Sequence, residues 1–291
     1  MEQNAIQSSE MIINPDGTIF HLHLLPEQLC DRIILVGDPG RVNMVAEFFD
    51  TKTFEVSSRE FHTIGGTYKG KDIMCLSHGI GPDNIDIVIN ELDALANIDF
   101  KTRQIKPEHR TLTMVRIGTS GALQPELILG TPVIAQRSIG FDGVLNYYAG
   151  RNSICDLDFE REFCDYVDWS PLLAAPYVVK SDEELVERIG RDDMVKGCTI
   201  SAVGFYGPQG RKLRLPLTMP HLNERIERFR YNGIAVTNYE MESAPLEGLA
   251  RLLGHKAMTV CSIIANRVRM DATPNYKTAI RDLIETVLER I

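Results

Sequence analysis

Apolar positions along this chain follow two rhythms. Short runs such as Arg32-Ile33-Ile34-Leu35-Val36, Leu112 to Ile117 and Met258 to Ile264 read as buried strands. Between them, Val42, Val45, Ala46 and Phe49 recur at helical spacing, and Ile85, Val88, Ile89, Leu92 and Leu95 form the stripe of an amphipathic helix. Further strands are expected at Phe54 to Ser58, at Thr67 to Ser77 around the turn Lys69-Gly70-Lys71, at 132–136 and 139–145, at Thr199 to Val203 and at Ile234 to Asn238. Ser181-Asp182-Glu183-Glu184 reads as a capping box opening a helix. Another helix follows Tyr239-Glu240-Met241-Glu242-Ser243, takes Pro245 in its first turn and stops at Gly254, and a last one spans Tyr276 to Glu289. Alternation of this kind predicts a single α/β domain with a mixed central sheet and helices on both sides.

The remaining stretches lack either rhythm. Residues 1–18 are polar, with a turn at Asn14-Pro15-Asp16-Gly17, and read as a flexible extension before a domain covering 19–291. Phe20-His21-Leu22-His23-Leu24 would set both histidines on one face of a strand. Residues 99–110 read as a charged surface insertion, and 150–175 as a long irregular excursion whose acids form a solvated face rather than a metal site.

Composition acts mainly by exclusion. Hydrophobic residues at 44% supply a real core, while the net charge of −9 argues against broad nucleic-acid binding without excluding a small anion held by a few arginines. Cys30, Cys75, Cys155, Cys164, Cys198 and Cys261 show no metal spacing and read as free thiols of a reducing compartment. No apolar run approaches the ~18 residues of a membrane span, and Met1 to Glu10 lacks a signal-type apolar core, so the cytoplasm is expected.

Candidate chemistry gathers where strands end. Gly37-Asp38-Pro39-Gly40-Arg41 joins a strand to a helix and could receive an anion, although an ordinary βα turn is the plainer reading. Arg116 stands inside an apolar strand before Gly118-Thr119-Ser120-Gly121, which reads as a second anion-type loop. A buried guanidinium needs a partner, either a structural carboxylate or a bound phosphate. Phe205-Tyr206-Gly207-Pro208-Gln209-Gly210-Arg211 puts an aromatic face, an amide and a fixed cation within one turn, a clamp for a flat heterocycle bearing N–H and C=O groups. Glu240 and Glu242 flank Met241 at a strand-to-helix junction, where a carboxylate can bind vicinal hydroxyls or simply favour the helix dipole. His21 and His23, taken alone, are surface or core histidines.

In this order the segments resemble the nucleoside phosphorylase family, which includes uridine phosphorylase. The match runs from about Phe20 to Arg267 through Gly37-Asp38-Pro39 with Arg41, Ser58-Arg59-Glu60-Phe61, Arg116 to Gly121, Phe205 with Gln209 and Arg211, and Glu240-Met241-Glu242. The resemblance implies a partly closed, barrel-like sheet. It implies that Gly37, Arg41, Arg116 and Thr119 hold inorganic phosphate, that Arg59 reaches the phosphate of a neighbouring subunit, and that His21 crosses to the neighbour's ribose. It further implies that Met241 packs on the sugar, that Glu242 binds its hydroxyls, and that Phe205 stacks on the base. Gln209 and Arg211 would read the base edge and, with Arg267, act catalytically on it.

Purine-active relatives carry a Ser-Asp pair where this chain has Asn266-Arg267, so the resemblance points to uridine. The implied reaction is reversible phosphorolysis to uracil and ribose 1-phosphate, with phosphate as co-substrate, no cofactor or metal, and a dimer or hexamer as the assembly. The alternatives are a purine nucleoside phosphorylase, a nucleosidase, or a non-catalytic nucleoside-binding relative.

Overall fold

The segment Arg32–Val36 is a central strand because its four apolar residues are fully buried, which requires cover on both faces. In the computed structural model, which describes residues 5–291, Ile33 and Leu35 point into one core and Ile34 and Val36 into another. This strand, β1, is followed by α1 (Pro39–Ala46), β2 (Thr51–Ser58), β3 (Phe61–Tyr68), β4 (Lys71–Ser77) and α2 (Pro82–Asn97). A hairpin of β5 (Ile98–Asp99) and β6 (Gln104–Ile105) leads to β7 (Thr113–Ala122) and β8 (Pro132–Gly140). Then come α3 (Leu157–Val167), β9 (Tyr177–Lys180), α4 (Glu183–Gly190), β10 (Val195–Ser201), α5 (Leu222–Arg228), β11 (Arg230–Tyr231) and β12 (Ile234–Glu240). The chain ends with α6 (Ser243–Leu252), β13 (Lys256–Asn266), β14 (Asp271–Ala272) and α7 (Lys277–Arg290).

The main sheet runs β11-β12-β10-β8-β13-β7-β1-β4-β3-β2, and an extra β12–β7 pairing closes part of it into a ring. Strand β1 is parallel to β4 and β7, β13 is parallel to β7, and β10 is parallel to β8 and β12, while β13 meets β8 antiparallel. The sheet is therefore mixed and partly closed into a barrel. Closure positions the site: Asn238 pairs with Ala122 and Tyr239 with Gly121, antiparallel, so the carboxyl ends of two oppositely directed strand sets meet. Ligands of open α/β sheets bind outside carboxyl ends of strands; here two such ends face one another. One core holds α2 and α6 against the sheet, with all five residues of the α2 stripe buried; α1, α4 and α7 cover the other face.

Several local expectations are corrected. The segment Phe20 to Leu24 is a turn, not a strand, and His23 takes a positive φ of 53°. The expected loose extension is docked where it is described: Met11 is buried, Ile13 bridges Ile19, and Arg103 donates from Nε to the Ile6 carbonyl at 2.8 Å. The first four residues of that extension lie outside the described residues. The 99–110 insertion contains a strand of the small hairpin.

The 150–175 excursion contains helix α3, capped by Asp156 accepting from the Phe159 N–H, with Phe159, Phe163 and Val167 buried at intervals of one turn. Its acids hid that stripe. Glu160 pairs with Arg151 at 2.9 Å and accepts from the Val178 N–H at 2.9 Å. The strand expected from Thr67 begins earlier, at Phe61, and ends at Tyr68 before the Lys69 turn, with Lys71–Ser77 following it, and 139–145 ends as a strand at Gly140. Helix α4 is capped by Asp182, which accepts from the Leu185 N–H, rather than opened by a box at Ser181. The expected loop 118–121 continues strand β7. None of the described helices is long and apolar enough to cross a membrane.

Candidate active site

At the barrel's closing edge lies a cleft of about 1070 Å³. Its lining brings together Gly37, Arg41, Arg116, Thr119, Phe205, Gln209, Arg211, Met241 and Glu242, residues spread over some two hundred positions of sequence. It does not include His21, Arg59 or Arg267.

One end of the cleft is an anion cradle. Asp38 caps α1 by accepting from the Gly40 N–H at 2.9 Å, and Pro39 sits at the start, where its missing N–H costs nothing. Arg41, in the first turn of that helix, is buried and donates to the Ile117 carbonyl at 3.2 Å. Burial and the nearby Arg116 both hold its pKa below the ordinary arginine value, so the two cations strain against each other. Arg116 is paired with Glu240 at 2.8 Å and with Glu242. Burial works against its charge, but Glu242 and Glu240 more than offset that and raise its pKa. Of the two partners the sequence left open for Arg116, the chain itself supplies the carboxylates. Gly118 makes room for this guanidinium: a Cβ there would lie 2.8 Å from Arg116 Nη1 and 2.9 Å from Cys261 Sγ.

Behind Arg116, the buried His78 accepts from its Nε at 3.2 Å. Burial, then Arg116, keep that imidazole far below its ordinary pKa, hence neutral and able to accept. Neither His78 nor the anchoring role of Glu240 was visible in the sequence reading; the only sign of His78 was its place between a strand and a Gly-Ile-Gly turn.

The middle of the cleft is built from the β12–α6 junction. Glu240 accepts from Ser201 Oγ at 2.7 Å, Ser243 Oγ at 2.6 Å and the Glu242 N–H at 2.8 Å. This locks the junction so that Met241 and Glu242 face the cleft. Glu242 accepts from the Gly81 N–H at 2.8 Å through one oxygen and from Arg116 through the other. Burial raises its pKa although Arg116 opposes the shift.

The far end is the clamp. Phe205 is half exposed, and the Arg211 guanidinium lies over its ring, 3.8 Å from the centroid. The face expected to stack on a heterocycle is thus covered by the chain's own cation. Arg211 donates to the Phe205 carbonyl at 2.6 Å and to the Gln209 side-chain oxygen. Burial, and next the charge of Arg267, push its pKa down to about 10. Arg267 donates to the Gln209 carbonyl and lies 5.2 Å over the Tyr239 ring, so it supports the clamp from behind the lining. Among the described residues neither Arg211 nor Arg267 has a carboxylate partner. Asn266 is engaged on both sides: Nδ2 donates to the carbonyls of Gln124 at 2.9 Å and Leu127 at 2.8 Å in the segment after β7, and Oδ1 accepts from the N–H groups of Val268 and Arg269 in its own turn.

His21 and Arg59 lie together elsewhere. Arg59 is exposed, takes a positive φ of 54° and stands 6.0 Å over Phe20. His21 packs edge-on to Phe20 and meets Glu91 Oε1 at 2.6 Å through Nδ1. Among the described residues, Asp93, His109 and His255 are close enough to share a metal ion. Their hydrogen bonds oppose it: His255 Nδ1 accepts from the Leu112 N–H at 3.1 Å, so its proton is on Nε2, aimed at Asp93 at 3.1 Å.

A family model described as "Phosphorylase superfamily" matches residues 31–290. The uridine phosphorylase of Thermococcus kodakarensis is 30% identical over 267 residues, covering 90% of this chain and 82% of that one. The uridine phosphorylase of Escherichia coli is 30% identical over 269 residues, covering 89% and 90%. The crystal structure of a Trypanosoma brucei nucleoside phosphorylase, described as showing uridine phosphorylase activity, superposes with a TM-score of 0.87 at 27% identity, covering 96% of this chain and 98% of that one.

Proposed function

Because this chain belongs to the phosphorylase superfamily, we propose that its cleft carries out reversible phosphorolysis of uridine to uracil and ribose 1-phosphate. The observation that carries this reading is a single cavity lined by Arg41, Arg116, Met241, Glu242, Phe205, Gln209 and Arg211. These supply anion, pentose and heterocycle subsites in that order.

Phosphate binds between Gly37, Arg41, Arg116 and Thr119. Its charge relieves the mutual repulsion of the two guanidiniums, which favours binding. One phosphate oxygen attacks C1′ as the C1′–N1 bond breaks, and the bonding pair leaves on uracil. No side chain acts as nucleophile; the protein holds the two reactants in line. Met241 packs on the sugar, and Glu242, fixed by Gly81 and Arg116, accepts from the ribose hydroxyls. At the clamp, the base takes the face of Phe205 and Arg211 moves from ring to base edge. Arg211 and Arg267 crowd each other without a carboxylate, so negative charge growing on uracil is welcome there and stabilises the transition state more than the ground state. Inorganic phosphate is the co-substrate, and no further cofactor enters.

The choice of pyrimidine is supported by Asn266, whose amide is engaged by the Gln124 and Leu127 carbonyls and by the N–H groups of its own turn, and offers a purine ring no acid. The assembly is at least a dimer in this reading: Arg59 and His21, adjacent on an outer surface and outside their own cleft, serve a neighbouring copy. The test is uracil release from uridine with phosphate varied. Release that depends wholly on phosphate is expected; release into phosphate-free buffer would indicate a hydrolase, and release of hypoxanthine from inosine at a higher rate would indicate a purine enzyme.

A further inference from the structure

The clamp is a single 3-10 turn, Gly207–Gln209, between exposed stretches, yet its Gln209 side chain is buried and the reaction needs it placed closely. Something outside the clamp has to hold it. Taking the reading of the cleft above as given, we propose that Asn223, on α5 and outside the cleft lining, is a positioning residue that fixes Gln209 for base recognition.

Asn223 sits on a rigid base, because its neighbours on α5, Leu222 and Ile226, are buried in the core that also holds Phe229 and Tyr239. Its amide spans two parts of the site. Nδ2 donates to the Gln209 carbonyl at 3.1 Å, and Oδ1 accepts from the Tyr239 hydroxyl at 3.0 Å. The orientation is forced, since only the amide nitrogen can donate to a carbonyl.

Tyr239 lines the cleft, and Arg267 lies over its ring and donates to the same Gln209 carbonyl. Asn223 therefore joins the clamp, the cleft floor and the second cation into one corner. The chain is packed hard onto it: Gly210 has φ +71°, and a Cβ there would fall 2.3 Å from Asn223 Nδ2. Glycine at that position is what allows the turn to close on the amide. Without Asn223 the Gln209 carbonyl keeps, among the described residues, the Arg267 donor alone, the Tyr239 hydroxyl is left without its acceptor in a buried place, and the turn is free to shift. Displacement of a binding group by ~1 Å can cost ~100-fold in rate.

The experiment is steady-state phosphorolysis by the full-length protein, wild type beside Asn223→Ala and the milder Asn223→Ser, with uridine and phosphate varied separately. Asn223→Ala is expected to lower kcat/KM for uridine by ~30-fold or more while KM for phosphate stays within ~2-fold. Adding Tyr239→Phe to Asn223→Ala is expected to cost little beyond the single change, because both act through one contact. If Asn223→Ala does not fold, the same split is read on Asn223→Ser, which keeps a short donor.

Uridine kinetics unchanged in the folded variants would overturn the proposal, as would KM for phosphate rising in step with that for uridine. Fully additive losses in the double variant would do the same. A wild type that releases no uracil in the same assay overturns the reading of the cleft and this proposal with it, whereas an active wild type beside an unperturbed variant counts against Asn223 alone.

Discussion

Glu247 allows a sharp test of the burial around the site. It lies on α6, the helix that presents Glu242, and is 1% exposed. One oxygen accepts from Ser138 Oγ at 2.6 Å, and among the described residues the other makes no close hydrogen bond. Burial pushes its pKa up to about 8 from an ordinary 4.5. The folded protein thus holds a proton that the unfolded chain releases in the intervening range. The sign follows from linkage: the contribution is fully present below about pH 4.5 and is lost as pH rises to about 8. That gap corresponds to roughly 5 kcal/mol between the two ends, at about 1.4 kcal/mol for each pH unit.

Glu247→Gln keeps the shape and removes the titration. Thermal melts of wild type and variant between pH 5 and 8.5, at fixed ionic strength and without phosphate, are expected to diverge. The variant gains on the wild type as pH rises, by roughly 10 °C in Tm at ~2–4 °C per kcal/mol. Phosphate is left out because a ligand of the folded state would shift both curves. Parallel melting curves over that range would mean that the carboxyl is ionised in the fold, and that burial there is weaker than the geometry implies.

Other expectations concern the cleft. Arg211→Ala should cut turnover of uridine by about two orders of magnitude, as loss of a charge-stabilising donor does, and leave KM for phosphate nearly unchanged in the same kinetic series. Gly118→Ala forces a methyl against the Arg116 guanidinium, with a Cβ only 2.8 Å from Nη1, and should raise KM for phosphate by ~10-fold, read from phosphate titrations at saturating uridine. Arg41→Ala and Arg59→Ala should each be nearly inactive, yet subunits mixed through mild denaturation and refolding should regain activity, because one cleft in a mixed dimer then keeps both arginines. No recovery from verified mixed dimers would place Arg59 outside the neighbour's site.

Periodicity revealed those elements whose burial is set by near neighbours in sequence. The α2 stripe, the unbroken run of β1 and the strand-loop-helix order at Gly37 all came through. It failed where tertiary demands overrode local pattern. The acids of Asp156 to Glu160 look solvated in sequence, but one caps a helix and another binds Arg151 and the Val178 N–H, while Phe159, Phe163 and Val167 form a buried stripe on the same helix. Gly118 to Gly121 looks like a loop because glycine and hydroxyl residues favour turns, yet it stays in strand because β13 pairs along it as far as Ala122.

Taken one at a time the groups left plainer readings open, a βα turn at Gly37 and helix-dipole acids at Glu240 and Glu242; it was the order of five motifs, read as a resemblance to the nucleoside phosphorylases, that pointed to an anion, a sugar and a flat base. Which groups meet was a matter of closure: Tyr239 pairing with Gly121 across more than a hundred residues is what carries Glu240 and Glu242 onto Arg116. Asn223 lies beneath Gln209, and Arg59 and His21 lie outside the cleft. Such long-range register depends on strand twist and on the summed packing of several layers, neither of which leaves a periodic trace in the residues that end up in contact.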